Sequence, residues 1–387
     1  MTQIHFTLNF EEMTKELLNC NLNNVIKGQL ITIMNAYMEA ERDKLVNANI
    51  KEKTDERQAV RNGYYERQLT VPVGTIDLKI PRTRDGEFST ELFEKYSRMD
   101  QTLVLMMIES VVNGVSTRKV TKLVESIAGK QVSKSFVSNM LKKLDPEIKR
   151  WSERPLTKNT YKYLFVDAMY IKVRENHKIV SKAVYIAQAI NHQDKRELVG
   201  FSVSEKESHI AWQEFFADLR ARGFSNPNLI ISDAHKGLKS AIKEEFLDVP
   251  WQRCTVHFLR NMIDVMPKKN TEQERLILKS IFRAPTIQHA KELRDEFISL
   301  VEDNPKFQKV IDILDEGFHD ATQFFKFPER HHKHIRTTNS IENTNLQIRR
   351  RESVIRIFPN QDSAFRLIGA VLLDLSETLD INKTFLK

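Results

Sequence analysis

The stretch from Thr160 to Val256 constrains the fold more than any other part of the chain. Three strand-like runs, 161–173, 179–190 and 197–204, precede a helical pattern at about 208–222, a strand at 228–232, a helix at 236–247 and a short strand at 251–256. Consecutive strands followed by alternating helices and strands call for one sheet with helices packed on it, an α/β class. The flanking sequence has another rhythm. Residues 10–60 carry apolar residues at near-helical spacing (Leu17, Leu18, Val25, Leu30, Ile33, Met34), while residues 63–88 alternate through Leu69, Val71, Val73, Ile76, Leu78 and Ile80. The second pattern is that of a two-stranded ribbon turning at Val73-Gly74-Thr75 and ended by Pro81 and Gly86. Helix returns from about Leu92 to Trp151, and Pro155 with its polar neighbours marks a boundary. Residues 258–327 are helical throughout, and helices resume near Ile341 and Asp362. The expected organisation is an N-terminal region 1–150, an α/β domain built from 155–257 and 336–387, and a helical insertion at 258–335.

Composition restricts the function classes. The 387 residues are 41% hydrophobic and 29% charged, as in ordinary globular domains. Sixty Lys and Arg against 52 Asp and Glu leave a formal charge of +8, which favours a polyanionic partner such as nucleic acid. The two cysteines, Cys20 and Cys254, are too far apart in sequence to suggest a disulfide framework, and no basic-then-apolar leader opens the chain. The longest apolar stretch, Leu367 to Leu375, contains Asp374 and falls well short of the roughly 20 residues that cross a bilayer. A cytoplasmic protein without a membrane partner is expected.

Two acidic residues stand where apolar strands would bury them. Tyr163-Leu164-Phe165-Val166-Asp167-Ala168 carries Asp167 inside a strand, and an unpaired carboxylate there costs several kcal/mol. Leu229-Ile230-Ile231-Ser232-Asp233-Ala234 puts Asp233 where a strand runs out and a helix begins, the position at which open α/β sheets bind ligands. Both residues suit a hard divalent cation; alternatively, each caps a turn or a helix. The segment Thr337 to Arg351 places Glu342, Asn345 and Arg349 on one helical face, with Ile341 and Ile348 on an adjoining one. A carboxylate, an amide and a guanidinium in line fit metal ligation beside phosphate contact, although a solvated helix with a basic end has the same pattern. Lys172, Arg174, Lys236, Arg349, Arg350 and Arg351 are the candidate phosphate contacts near these acids.

Upstream, Ser116 can cap a helix that Gly129 ends, and Ser133 can cap a second one, giving helix-turn-helix spacing over 115–144. Arg118, Lys134, Ser135, Ser138, Asn139 and Lys142 would then face DNA, unless the pair is an ordinary helical hairpin. Trp151, Trp212 and Trp251 sit beside element boundaries and are expected to pack rather than stack on bases.

In order along the chain, Val166-Asp167-Ala168-Met169-Tyr170-Ile171-Lys172-Val173-Arg174, Ile231-Ser232-Asp233-Ala234-His235-Lys236-Gly237-Leu238, Trp251-Gln252-Arg253-Cys254-Thr255-Val256-His257-Phe258 and Thr337-Thr338-Asn339-Ser340-Ile341-Glu342 resemble the Mutator-type transposases of bacterial insertion sequences. So do Arg61-Asn62-Gly63-Tyr64, Gly114-Val115-Ser116-Thr117-Arg118 and Ile357-Phe358-Pro359-Asn360, so that the resemblance spans nearly the whole chain. It implies a ribonuclease H-like catalytic core with an all-helical insertion, an Asp-Asp-Glu triad of Asp167, Asp233 and Glu342, and two Mg²⁺ ions for which Mn²⁺ can substitute. The implied partners are double-stranded DNA, as terminal inverted repeats and target, and further copies of the chain, at least a dimer on paired ends at the bacterial nucleoid. Cys254 and His257 match the family pattern. A structural zinc would need two more ligands, for which His331, His332 and His334 are the candidates, and a structural or site-shaping role is the preferred reading. Two rivals differ in class: a helix-turn-helix regulator with an inert α/β domain, and a ribonuclease H-like nuclease that never joins strands.

Overall fold

The computed structural model describes residues 22–48, 57–92, 99–381 and 384–386. The expected helix at residues 10–21, and the parts of the expected helices at 49–56 and 93–98, lie outside the described residues. The chain divides into two compact units, Met1–Lys143 and Leu144–Lys387.

In the first unit, helix α1 (Leu22–Val46) packs Met38 on an antiparallel ribbon of β1 (Arg61–Val71) and β2 (Gly74–Thr83), against Leu69, Val71, Ile76, Leu78 and Ile80. The turn falls one residue earlier than expected, at Pro72-Val73, because proline's fixed φ suits the first central position of a turn. Pro81 does not end the strand but lies within β2. A two-stranded ribbon has an outer edge everywhere, so a missing N–H there leaves no ladder bond unmade. Three helices follow: α2 (Gln101–Val112), α3 (Thr117–Ala128) and α4 (Lys134–Leu141). Ser116 Oγ accepts from the Lys119 N–H, Gly129 closes α3 at φ 62°, and Ser133 Oγ accepts from the Phe136 N–H. Each cap satisfies a backbone group that a helix end leaves orphaned.

The second unit opens with α5 (Asp145–Ser152), whose Asp145 takes both nitrogens of an Arg366 fork at 2.5 and 2.7 Å. Its sheet has the order β5-β4-β3-β6-β7, formed by β3 (Tyr161–Glu175), β4 (Lys178–Asn191), β5 (Arg196–Ser204), β6 (Leu229–Ser232) and β7 (Trp251–Arg253). The first three strands are antiparallel, whereas β6 runs parallel to β3 and β7 parallel to β6. Asn176 and His177, at φ 47° and 63°, make the two-residue turn between β3 and β4, whose positive φ values match the strand twist.

Strand alternation sorts side chains between two faces. Leu164 and Val166 share a core with Trp212, Phe215 and Phe216 of α6 (His209–Ala221) and with Leu238 and Ile242 of α7 (Lys236–Glu245). Tyr163, Phe165 and Asp167 point the other way. There Tyr163 Oη lies 2.7 Å from His331 Nδ1 of α12 (Glu329–Ile335), and Gln188 of β4 bonds Ser340 and Thr344 of α13 (Asn339–Ile355). Helix α14 (Gln361–Ile381) stacks Phe365 on Phe201 of β5.

Between β7 and α12 the chain forms α8 (Thr255–Val265), α9 (Glu272–Ile281), α10 (Ile287–Val301) and α11 (Gln308–Ala321) around a separate core that includes Phe258, Met262, Phe282, Phe297 and Leu314. Thr255 and Val256, read from sequence as strand, are the first turn of α8. Burying Phe258 and Met262, four residues apart, in the helical core outweighs the weak strand preference of two β-branched residues. Trp212 and Trp251 are buried and Trp151 packs on Phe201, in the packing roles expected of them.

Gly237, in the first turn of α7, approaches the start of α6 so closely that a Cβ there would stand 2.8 Å from the His209 backbone nitrogen. Gly237→Ala should therefore push α7 off α6 and destabilise the protein by about 1–3 kcal/mol. A thermal melt checks this, and an unchanged or raised midpoint would mean that the two helix starts are not pressed together.

Candidate active site

Pairing of β3 with β6 sets Phe165 opposite Ile231. Asp167 and Asp233 each stand two residues beyond that pair, so neighbouring parallel strands deliver two carboxylates at one level. Asp167 is supported from both sides. Its Oδ1 accepts from the Ala168 N–H at 2.9 Å, and its Oδ2 accepts from Asn345 Nδ2 of α13 at 2.7 Å. Asp233 Oδ1 accepts from the His235 N–H at 3.3 Å, just before α7 begins. Glu342 lies one turn before Asn345 on α13, and burial of Ile341 and Ile348 against the sheet fixes the rotation of that helix. Thr338 Oγ1 lies 3.1 Å from Glu342 Oε1.

The electrostatics bind these groups together. Burial, and then the charge of Asp233, pushes the Asp167 carboxyl up to about 7; Glu342 adds to the rise, while the Ala168 N–H and His257 oppose it. Glu207 is also held above the ordinary carboxylate range, by burial first, against a hydrogen bond from Trp212 and the nearby His235, with Asp233 raising it. Four acids thus gather in one electrostatic neighbourhood.

Cys254 and His257 border it. The Cys254 N–H donates to the Ser232 carbonyl at 2.7 Å, and its sulfur lies 3.4 Å from the Thr338 nitrogen and 3.2 Å from Thr338 Oγ1. Burial pushes the thiol up, but His257 and Thr338 outweigh it and hold the thiol below its usual value. His257 rises to about 9, chiefly through the Cys254 sulfur, with Glu342 and Asp233 adding to it against burial. One potential ligand atom from each of Cys254, His257 and Glu342 falls within a 4.8 Å span. The remaining zinc-ligand candidates are elsewhere: His331 faces Tyr163, His332 Nε2 lies 2.7 Å from the Phe327 carbonyl, and His334 packs on Phe385. Among the described residues, no fourth His, Cys, Asp or Glu joins the cluster.

The sequence-derived phosphate contacts are dispersed. Arg349 shares the α13 face with Asn345 and Glu342, donates to the Tyr170 carbonyl at 2.7 Å and pairs with Glu352. Arg350 and Arg351 bond Gln347, and exposed Lys236 starts α7 three residues after Asp233. Lys172 and Arg174 occupy even positions of β3 and so face away from Asp167. In the first unit Arg118, Lys134, Ser135, Asn139 and Lys142 are exposed, and Ser138 is half-buried.

Sequence reasoning overlooked Thr338, Gln188, Glu207 and the role of Asn345 as a donor to Asp167. Gln188 left a legible sign, a lone amide within the apolar run Ala187 to Ile190. Thr338 was legible only as part of the segment Thr337 to Glu342, and Glu207 left no sign, because its approach to Asp233 and His235 joins distant segments.

The mixed sheet thus carries one carboxylate within β3 and a second just past the end of the neighbouring parallel β6, and the helix that crosses this face brings a third. The chain belongs to the Mutator family of transposases: the family description "Transposase, Mutator family" matches residues 1–380. It is 47% identical over 377 residues to the transposase for insertion sequence element IS256 in transposon Tn4001 of Staphylococcus aureus, covering 97% of this chain and 96% of that protein. The transposase for element ISRM5 of Rhizobium meliloti is 38% identical over 346 residues, 89% of this chain and 86% of its own. That for IS1081 of Mycobacterium tuberculosis is 35% identical over 375 residues, 97% and 90% of the two chains. Among the described residues no helix is long and apolar enough to cross a membrane.

The raised Asp167 carboxyl has a consequence for stability in the absence of metal. Its value of about 7 stands above the ordinary 3.8, so the fold favours the protonated form. The stability this group contributes is present at low pH and is lost as pH rises between those values. In chelator, Asp167→Asn should therefore melt above the wild type at pH 8, at about 2–4 °C per kcal/mol, with the gap narrowing towards pH 5. A pH-independent gap would show that Asp167 does not ionise against its surroundings.

Proposed function

We propose that this transposase binds the terminal inverted repeats of its element and carries out metal-dependent strand cleavage and strand transfer through Asp167, Asp233 and Glu342. The observation that carries the reading is that β3 and β6 bring Asp167 and Asp233 to one level of neighbouring parallel strands, and that both Asp233 and Glu342 of α13 raise the Asp167 carboxyl. The mixed five-stranded sheet, with helices on both faces and a helical segment before the third acid, supports a ribonuclease H-like core with an insertion.

The donor set fits hard divalent cations. Asp167, Asp233 and Glu342 offer oxygen donors, and the electrostatic strain on Asp167 is of the kind that added positive charge relieves. Two Mg²⁺ or Mn²⁺ ions held by these acids would supply Lewis-acid activation of water or a 3′-hydroxyl and stabilisation of the leaving oxygen. The protein's own task is orientation. Asn345 fixes the Asp167 carboxylate, Thr338 fixes Glu342, and the sheet register fixes Asp233 relative to Asp167. His257, raised chiefly by the Cys254 sulfur and further by Glu342 and Asp233, stands at the edge of the acid cluster. No side-chain nucleophile is required, so both reactions are direct displacements at phosphorus.

End recognition is assigned to α3 and α4, capped as a helix-turn-helix requires, with Arg118, Lys134, Ser135, Ser138, Asn139 and Lys142 reaching the duplex. The protein would work in the cytoplasm as an oligomer, at least a dimer, that brings two ends and target DNA together.

Outer-shell partners of metal ligands are worth about 10–100-fold, and the ligands themselves at least the upper value. Asp167→Asn, Asp233→Asn and Glu342→Gln should each lower cleavage of the element's own ends at least about 100-fold, and Asn345→Ala about 10–100-fold. Mobility shifts on the same preparations should show end binding largely intact. Near-normal cleavage by any of the three acid variants would remove that residue from the metal site.

A further inference from the structure

Two cavities of equal size, about 960 Å³ each, lie on the first unit, and their linings carry opposite charge. One is lined by Glu41, Asp43, Glu87 and Glu91 against a lone Lys44. The other runs along the ribbon of β1 and β2 and the chain that follows β2, with Lys130 beyond α3 at its side, and there Arg67, Arg82, Arg84 and Lys130 face one carboxylate, Glu66. We infer that this basic ribbon groove, which meets the helix-turn-helix only at Lys130 of the turn between α3 and α4, takes the sugar-phosphate backbone of duplex DNA, as a contact surface additional to the exposed side chains of those helices. The inference rests on the DNA-binding reading above.

Charge complementarity points to the occupant. Cations clustered in a groove larger than a single phosphate needs, beside a matching cavity of the opposite sign, form a polarised surface rather than a uniformly basic one. Arg82 places its guanidinium 4.5 Å from the centre of the Tyr65 ring, a contact that reduces the side-chain entropy lost on binding. Arg82 and Arg84 are both exposed, and among the described residues neither is ion-paired within the protein. A two-stranded ribbon also has the width that the major groove of B-DNA admits, so the edge of this one can follow the duplex while its arginines reach phosphates. Such contacts carry no sequence information, and they would add affinity that all duplexes share.

The test uses the full chain and two labelled duplexes, the element's terminal repeat and a scrambled version, titrated by fluorescence anisotropy from about 50 to 200 mM salt. R82Q/R84Q should weaken binding to both duplexes by a similar factor and lower the slope of log K against log salt by roughly two, leaving their affinity ratio unchanged. R82K/R84K should keep the slope. E66K, which adds a cation to the same groove, should strengthen both and raise the slope by roughly one. The E66K arm decides the matter if R82Q/R84Q fails to fold by thermal melt. Unchanged affinity and slope in R82Q/R84Q or in E66K would overturn the inference, as would a loss confined to the terminal repeat. Failure of the wild-type chain to bind either duplex would instead overturn the DNA-binding reading on which it rests.

Discussion

A carboxylate inside an apolar strand is tolerable only if something compensates for its lost hydration, and much of the second unit is arranged around that requirement at Asp167. The Ala168 N–H and the Asn345 amide each give it a hydrogen bond, and the second donor exists only because α13 lies across that face of the sheet. The helix is held there by Ile341 and Ile348 and by the buried amide of Gln188, which bonds both Ser340 and Thr344. The same placement brings Glu342 to the acids. Support for one acid and delivery of another are therefore consequences of a single packing interaction.

Compensation stops short of neutralising the site. Asp167 remains shifted towards its protonated form and Glu207 is also raised, while His257 is driven towards its charged form. Excess negative potential that the protein's own groups leave uncancelled is what a site for positive ions needs. A core optimised for stability alone would have replaced such a cluster with apolar residues.

The helical segment between β7 and α13 does not disturb this geometry, and the reason is visible at its base. The Thr255 N–H donates to the Arg336 carbonyl at 3.0 Å, and Thr338 reaches the Cys254 sulfur through both its nitrogen and its hydroxyl. Exit and return are thus fastened together beside the acids. Closing a long excursion costs only logarithmically more than closing a short one, and this one has its own core. Gln252 adds a buried tie, donating to the Ala321 carbonyl and accepting from the Phe324 N–H, both at 2.8 Å. Cys254 thus takes part in the contacts that join the two ends of this helical segment, and it also lies beside His257.

By itself the sequence determined the elements whose cause is local. Ser116, Gly129 and Ser133 marked their helix ends because caps act on adjacent backbone groups, and the alternating runs of the sheet were legible because burial of one face imposes a period of two. Asp167 and Asp233 stood out because a charge in an apolar run is improbable without a partner, and Glu342 because Asn345 and Arg349 repeat on its helical face. Local preference misled at Thr255-Val256, where burial of Phe258 and Met262 outweighed β-branching, and at Pro81, where an outer edge made proline harmless. Only the tertiary structure decided that Asn345 serves Asp167, that Thr338 joins Cys254 to Glu342, and that His331 meets Tyr163. Each of those outcomes depends on side chains far apart in sequence meeting at a distance of about 3 Å, set by strand register and helix rotation, which no local pattern encodes.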